Sequence, residues 1–198
     1  MSGPAESDDQ LVRRTLAGDR EAFGTLVERH RRRAYNLALR MLGREEDARD
    51  ATQEAFLTAF RKLSSFRGDA AFSTWLHRVT VNACYDLLRR SARAPLAPSG
   101  DDQPQPEPGP PIPDHAEATA DRVDVRRALL GLPPEHRAVL VLHDVQDLPY
   151  EEVARILGVP VGTVKSRLHR ARVALGRELR GEAEAERLAP PEPSQEGR

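Results

Sequence analysis

The chain has 198 residues, 39% of them hydrophobic and 31% charged, with a formal net charge of -1, the balance of a water-soluble chain of one or two small domains. Its longest purely apolar run, Ala138 to Leu142, is far below the roughly 20 residues that span a bilayer, and no signal peptide is visible. Cys84 is the single cysteine, which excludes an internal disulfide and a cysteine-cluster metal site and points to a reducing cytoplasm.

The near-zero total conceals segregated charge. Residues 1–94 carry 17 basic and 13 acidic side chains, and residues 122–180 carry 11 and 7. Residues 95–121 have six acids and no Lys or Arg, and residues 181–198 have five acids and two bases. Two basic bodies joined by an acidic strap predict two nucleic-acid contacts and a connector with another task.

No alternating strand pattern occurs in the first body, and an all-α class is predicted. Asp8 or Asp9 caps a short helix ending at Gly18, Asp19 starts a long helix ending at Gly43, and Glu45, Glu46 and Asp47 open a third. The long helix buries Phe23, Leu26, Val27, Ala34, Leu37 and Met41 and turns Arg29, Arg31, Arg32 and Arg33 outward. On the third helix Ala48, Thr52, Ala55, Phe56, Ala59 and Leu63 face inward. Asp47, Asp50 and Glu54 gather opposite, beside Gln53 and Leu57. An acidic row edged by an outward leucine suits docking of a basic partner helix, although a solvated surface has equal claim from this segment alone.

A turn around Gly68 leads to a helix that mixes aromatics and cations. Phe66 and Phe72 beside Arg67, Arg78 and Asn82 supply π-faces, charges and an amide of the kind that captures unstacked bases. Trp75 is assigned to the core in preference to a base-stacking role. Cys84, among apolar helical neighbours, reads as a buried inert thiol.

Residues 95–121 hold eight of the sixteen prolines. This stretch is expected to form an extended acidic tether that keeps the two bodies apart, and residues 181–198 to form a disordered tail.

The second body contains PYEEVARILGVPVGTVKSRLHRAR, which reads as a helix-turn-helix. Tyr150, Val153, Ala154 and Leu157 make the stripe of the first helix, Gly158 ends it, and Pro160 prevents its continuation. In the second helix Val164, Leu168, Ala171 and Leu175 face inward. Lys165, Ser166, His169 and Arg170 face outward, and Thr163, Arg167 and Arg172 take the flanks, where a helix in a major groove meets phosphates.

The segments DARDATQEAF, FRGDAAFSTWLHRVTVNACYDLLRR and LPYEEVARILGVPVGTVKSRLHRAR resemble the conserved regions of extracytoplasmic-function (ECF) sigma factors of the sigma-70 family, across roughly residues 8 to 180. WLHRVTVNAC together with GTVKSR is similar to sigma-M-like actinobacterial members. The resemblance implies two small helical domains, sigma-2-like over 8–94 and sigma-4-like over 122–180, in a non-enzymatic promoter-specificity subunit of RNA polymerase that needs no metal or cofactor.

It further implies that Asp47, Asp50, Gln53, Glu54 and Leu57 dock on the clamp helices of the β′ subunit, and that contact extends to the β subunit. The loop from Ser65 to Phe72, which carries Phe66, Arg67, Asp69 and Phe72, would read the -10 element together with Arg78 and Asn82. Thr163, Lys165, Ser166, Arg167, His169, Arg170 and Arg172 would read the -35 element. The linker would thread toward the polymerase active site, and an anti-sigma partner would cover both domains. Pro149 stands where the family often has a serine cap, so the start of that helix rests on proline's preset backbone or on Asp147. The alternative is a two-domain helix-turn-helix repressor or activator that acts without polymerase, for which the acidic face would have no use. Enzymatic motifs such as HExxH or a nucleophile elbow are absent.

Overall fold

The computed structural model describes residues 6–93 and 120–188; the acidic connector falls mostly outside them. Every regular element among the described residues is helical. In chain order these are α1 (Asp8–Leu16), α2 (Arg20–Leu42), α3 (Glu45–Lys62) with a 3₁₀ turn at Leu63–Ser65, α4 (Phe72–Arg93), α5 (Ala120–Gly131), α6 (Pro134–Leu140), α7 (Tyr150–Leu157) and α8 (Val161–Leu188).

Local chemistry sets the boundaries. Ser7, rather than Asp8 or Asp9, caps α1, in a reciprocal box with Gln10, and the two aspartates lie in the first turn. Asp19 caps α2 by accepting from the amides of Glu21 and Ala22. Gly43 closes the same helix in the left-handed region at φ 81°. No side chain caps α7; Pro149 at φ -65° leads straight into it, so the preset proline backbone starts this helix and Asp147 does not. Between α6 and α7 the chain makes a π turn over Val141–Val145, a local widening that the apolar run of the sequence does not announce.

α1 to α4 pack around Leu11, Leu26, Phe56, Leu63, Phe72 and Leu76. α1 is strapped to α2 by Asp8, whose carboxylate lies 2.7 Å from His30 Nε2 and 2.5 Å from Arg29 Nη1. The larger core crosses between the two bodies: Tyr35, Leu37, Met41, Val81 and Cys84 join Leu129, Val139, Leu142, Val153, Val164 and Leu168 in one buried cluster.

This corrects the expectation of separated domains. The distal half of α2 and one stripe of α4 present Leu39, Leu42, Ala83, Tyr85 and Leu87 to the same cluster, and burial of that apolar surface outweighs the extension favoured by a proline-rich tether. Arg137 and Glu152 reinforce the joint by bonding to the Met41 carbonyl and the Thr74 hydroxyl.

α8 also corrects an expectation. The helix continues past Gly181 to Leu188, because the run EAEAERL consists of strong helix formers. Residues 189–198 of the expected disordered tail lie outside the described residues.

Candidate nucleic-acid and polymerase interface

Glu45, Glu46 and Asp47 sit in the first turn of α3, where they oppose the positive end of the helix dipole. One turn onward Asp50, Gln53, Glu54 and Leu57 are all exposed, and Leu57 retains 48% of its accessible surface. An exposed leucine bordered by carboxylates is the predicted docking face in three dimensions. Phe60, 43% exposed and edge-on to Phe23, extends that apolar edge by one turn. Spacing alone does not single it out, since its distance from Phe56 also fits a core position.

Across from this face, α4 supplies Trp75, Arg78 and Asn82. The two walls enclose an open groove of about 830 Å³ lined by Asp50, Glu54, Leu57, Trp75, Arg78 and Asn82. Most of the candidate docking row therefore shares one cleft with Arg78 and Asn82, while Phe66, Arg67 and Asp69 do not line it. Arg67 and Asp69 are exposed on the preceding turn, which Gly68 makes possible at φ 75°.

The aromatics divide. Phe72 is 1% exposed, packed under the His30 ring, so its expected part in base capture does not fit its position. Phe66 is half-buried and meets Phe72 edge-on at 5.9 Å and Trp75 at 5.5 Å. Trp75, assigned to the core by sequence, is only partly buried and reaches the groove. Phe72 thus holds two partly open rings from below.

The helix-turn-helix comprises α7 and the start of α8. Gly158 ends α7 at φ 66° and Pro160 precedes α8. Val164, Leu168 and Ala171 are buried, and Leu175 is partly so. Lys165, Ser166, His169 and Arg170 are exposed on the outward side, as their spacing predicts. Ser166 donates its hydroxyl to the Thr163 carbonyl at 3.0 Å.

The flanks behave differently from one another. Thr163 and Arg167 are half-buried, and the charge of Arg167 acts on Tyr85 of α4 against the burial that pushes that phenol up to about 12. Arg172 donates to Asp144 through Nε at 3.0 Å and Nη2 at 2.6 Å, and this hydrogen bonding raises the guanidinium's pKa. One edge of its guanidinium is thus held by the π turn, and the side chain remains exposed. No group of three metal-ligating side chains occurs among the described residues, and no helix there is long and apolar enough to cross a membrane.

Residues 26–94 match the family described as Sigma-70 region 2, and residues 122–175 match Sigma-70, region 4. The chain is 46% identical over 173 residues to the ECF RNA polymerase sigma factor SigM of Mycobacterium tuberculosis, covering 87% of this chain and 85% of that one. The chain belongs to the ECF sigma factors of the sigma-70 family.

Two other relatives agree. The RNA polymerase sigma-H factor of Pseudomonas aeruginosa is 37% identical, with 88% and 94% of the two chains covered. The ECF sigma-E factor of Escherichia coli is 38% identical, with 85% and 92% covered. Among solved structures, CnrH in complex with the cytosolic domain of CnrY superposes with a TM-score of 0.65 at 30% identity, over 89% of this chain and 99% of that one. The sigma factor RpoE in complex with the anti-sigma factor NepR from Bartonella quintana gives 0.63 at 25% identity, over 80% and 96%. Membership in this family favours a sigma factor over the free-standing repressor or activator.

Proposed function

We propose that this ECF sigma factor binds core RNA polymerase through α3 and reads promoters with two separate faces. Asp47, Asp50, Gln53, Glu54 and Leu57 dock on the clamp helices of β′, and further contact reaches the β subunit. Phe66, Arg67, Asp69, Arg78 and Asn82 engage the unstacked -10 element, with Phe72 supporting them from the core. Thr163, Lys165, Ser166, Arg167, His169, Arg170 and Arg172 engage the -35 element, where edge contacts and the shape of the duplex are read together.

The observation that carries this reading is the exposure of both sets at once: the acid row with Leu57 on α3, and the cationic row on α8. Lys165, Ser166, His169 and Arg170, like the acid row with Leu57, stay exposed to a partner, while Arg167 at the flank also acts on Tyr85 of α4. The protein acts in the cytoplasm, without catalytic chemistry of its own. An anti-sigma partner is supported by the co-crystallised NepR of the Bartonella relative, and on this reading it covers both faces. The acidic linker, by its charge, follows the polymerase's nucleic-acid path.

Purified chain plus core polymerase on genomic DNA, with transcript starts mapped, tests the whole proposal: initiation at a defined set of sites is expected, and random initiation refutes it. In a pull-down, Asp50→Ala with Glu54→Ala should abolish core binding with the fold intact. Arg170→Ala should spare core binding and weaken upstream recognition; equal loss of both would count against the division of faces.

A further inference from the structure

The turn between α6 and α7 and the outward face of α8 are joined by a stack that the promoter-reading assignment leaves unused. The Tyr150 ring, at the start of α7, lies 4.4 Å from the His143 ring at an interplanar angle of 25°. The Lys165 ammonium sits over the same Tyr150 ring, 5.5 Å from its centroid, within the range of cation–π attraction. His143 is itself fixed. Its Nδ1 is 2.7 Å from the Leu148 carbonyl, and because a carbonyl only accepts, that nitrogen carries the proton. The next residue, Asp144, is tied to α8 by Nε and Nη2 of Arg172.

A lysine on a helix surface ordinarily loses rotamer freedom when it is held in one geometry. Here part of that ordering exists before DNA arrives. The imidazole stacked on the ring is itself held by the Leu148 carbonyl, and the Asp144–Arg172 pair ties the turn to α8, so the ring is buttressed. A lysine aimed in advance binds a phosphate or base edge with less loss on contact.

We infer that Tyr150 is a positioning residue for upstream-element recognition: buttressed by His143, its ring aims Lys165, and Arg172 steadies this arrangement through Asp144. The inference rests on the reading of Lys165 as a -35 contact and extends it to residues outside α8's outward face.

The test uses holoenzyme reconstituted from core polymerase and the full chain, on a promoter from the mapped set with its upstream element intact or scrambled. Tyr150→Leu keeps apolar bulk and removes the ring; Tyr150→Phe keeps the ring. On the intact template Tyr150→Leu is expected to weaken complex formation about two- to fivefold, with Tyr150→Phe close to wild type and the scrambled template unaffected. Tyr150→Leu combined with Lys165→Ala should be no weaker than Lys165→Ala alone, since the ring acts through the ammonium. Wild-type binding by Tyr150→Leu, losses that multiply with Lys165→Ala, or equal loss on the scrambled template would each overturn the inference while leaving the reading of Lys165 standing. If Lys165→Ala itself is without effect on the intact template, the reading of that residue fails and the inference falls with it.

Discussion

Arg137 of α6 donates through Nη1 to the backbone carbonyl of Met41, in the last turn of α2. Its Nη2 donates to the carbonyls of Leu130 at 2.6 Å and Leu132 at 3.0 Å, at the end of α5. One guanidinium therefore satisfies carbonyls that two helices leave open at their C-terminal ends, across the joint between the bodies. Arg137 is 6% exposed, and burial lowers its pKa; its two Nη groups have three carbonyl acceptors, while its buried Nε has none.

Arg137→Met keeps the length and removes every donor. It is expected to cost about 2–4 kcal/mol, because carbonyls of two helix ends lose a charged donor in a dry site. Urea denaturation measures the loss. Arg137→Lys should recover only part of it, since one ammonium cannot reproduce the planar fork. A change under about 0.5 kcal/mol for Arg137→Met would show that the carbonyls find water instead.

Gly43 makes a second, steric demand at the same joint. Its φ is 81°, and the Leu130 side chain occupies the space that a Cβ would need, whereas Gly158, at φ 66°, has nothing within 4 Å of that position. Both Gly43→Ala and Gly158→Ala pay for left-handed backbone, roughly 1–2 kcal/mol. Gly43→Ala should exceed Gly158→Ala by about 1 kcal/mol for displacing Leu130, as thermal unfolding of the two variants will show. Equal costs would mean that Leu130 moves aside freely.

Helix limits and faces were legible because single residues decide them: Asp19 and Gly43 bound α2, Gly158 and Pro160 write the turn, and the inward stripe of Val164, Leu168 and Ala171 follows from spacing alone. The acid row of α3 was legible for the same reason. What spacing could not supply was which apolar surface meets which. Leu37 and Met41 were assigned to the first body, yet they complete a core with Val139 and Leu168, a pairing remote in sequence. Arg137, His30 and His77 carry no local pattern that separates a buried polar group from a surface one. The pairing of Arg172 with Asp144 was not legible either, since Asp144 lies in a π turn that no periodicity predicts.

His77 gives the joint a pH dependence. It is 7% exposed, with Nδ1 unpartnered, and burial pulls its pKa down from 6.5 to about 4. Glu152 of α7 opposes that shift, while His30 and Arg33 add to it. Because the folded value is depressed, the unfolded chain binds the proton first as pH falls. The neutral ring's contribution is therefore complete above about pH 6.5 and is lost progressively from there toward pH 4. The loss across that window is about 3 kcal/mol. His77→Gln should flatten the stability profile between those limits relative to wild type, and parallel profiles would show that His77 does not titrate in this way.

Cys84 reports on whether the joint opens. It is 0% exposed within the core shared by both bodies, and burial pushes its thiol up to about 12, so at neutral pH it is neither ionised nor reachable. Native protein should leave a disulfide reagent unreacted, and one equivalent should react after denaturation. The rate in mild urea separates two behaviours. If the merged core makes the two bodies one cooperative unit, thiol exposure and loss of helical signal will share a single midpoint. If α5–α8 detach first, labelling will run ahead of the helical signal, because the parting of Cys84 from that core needs no helix to melt. The continuous cluster from Tyr35 and Leu37 to Val139 and Leu168 predicts the shared midpoint, and Arg137→Met, which strips the joint of its polar lock, should pull the two curves apart.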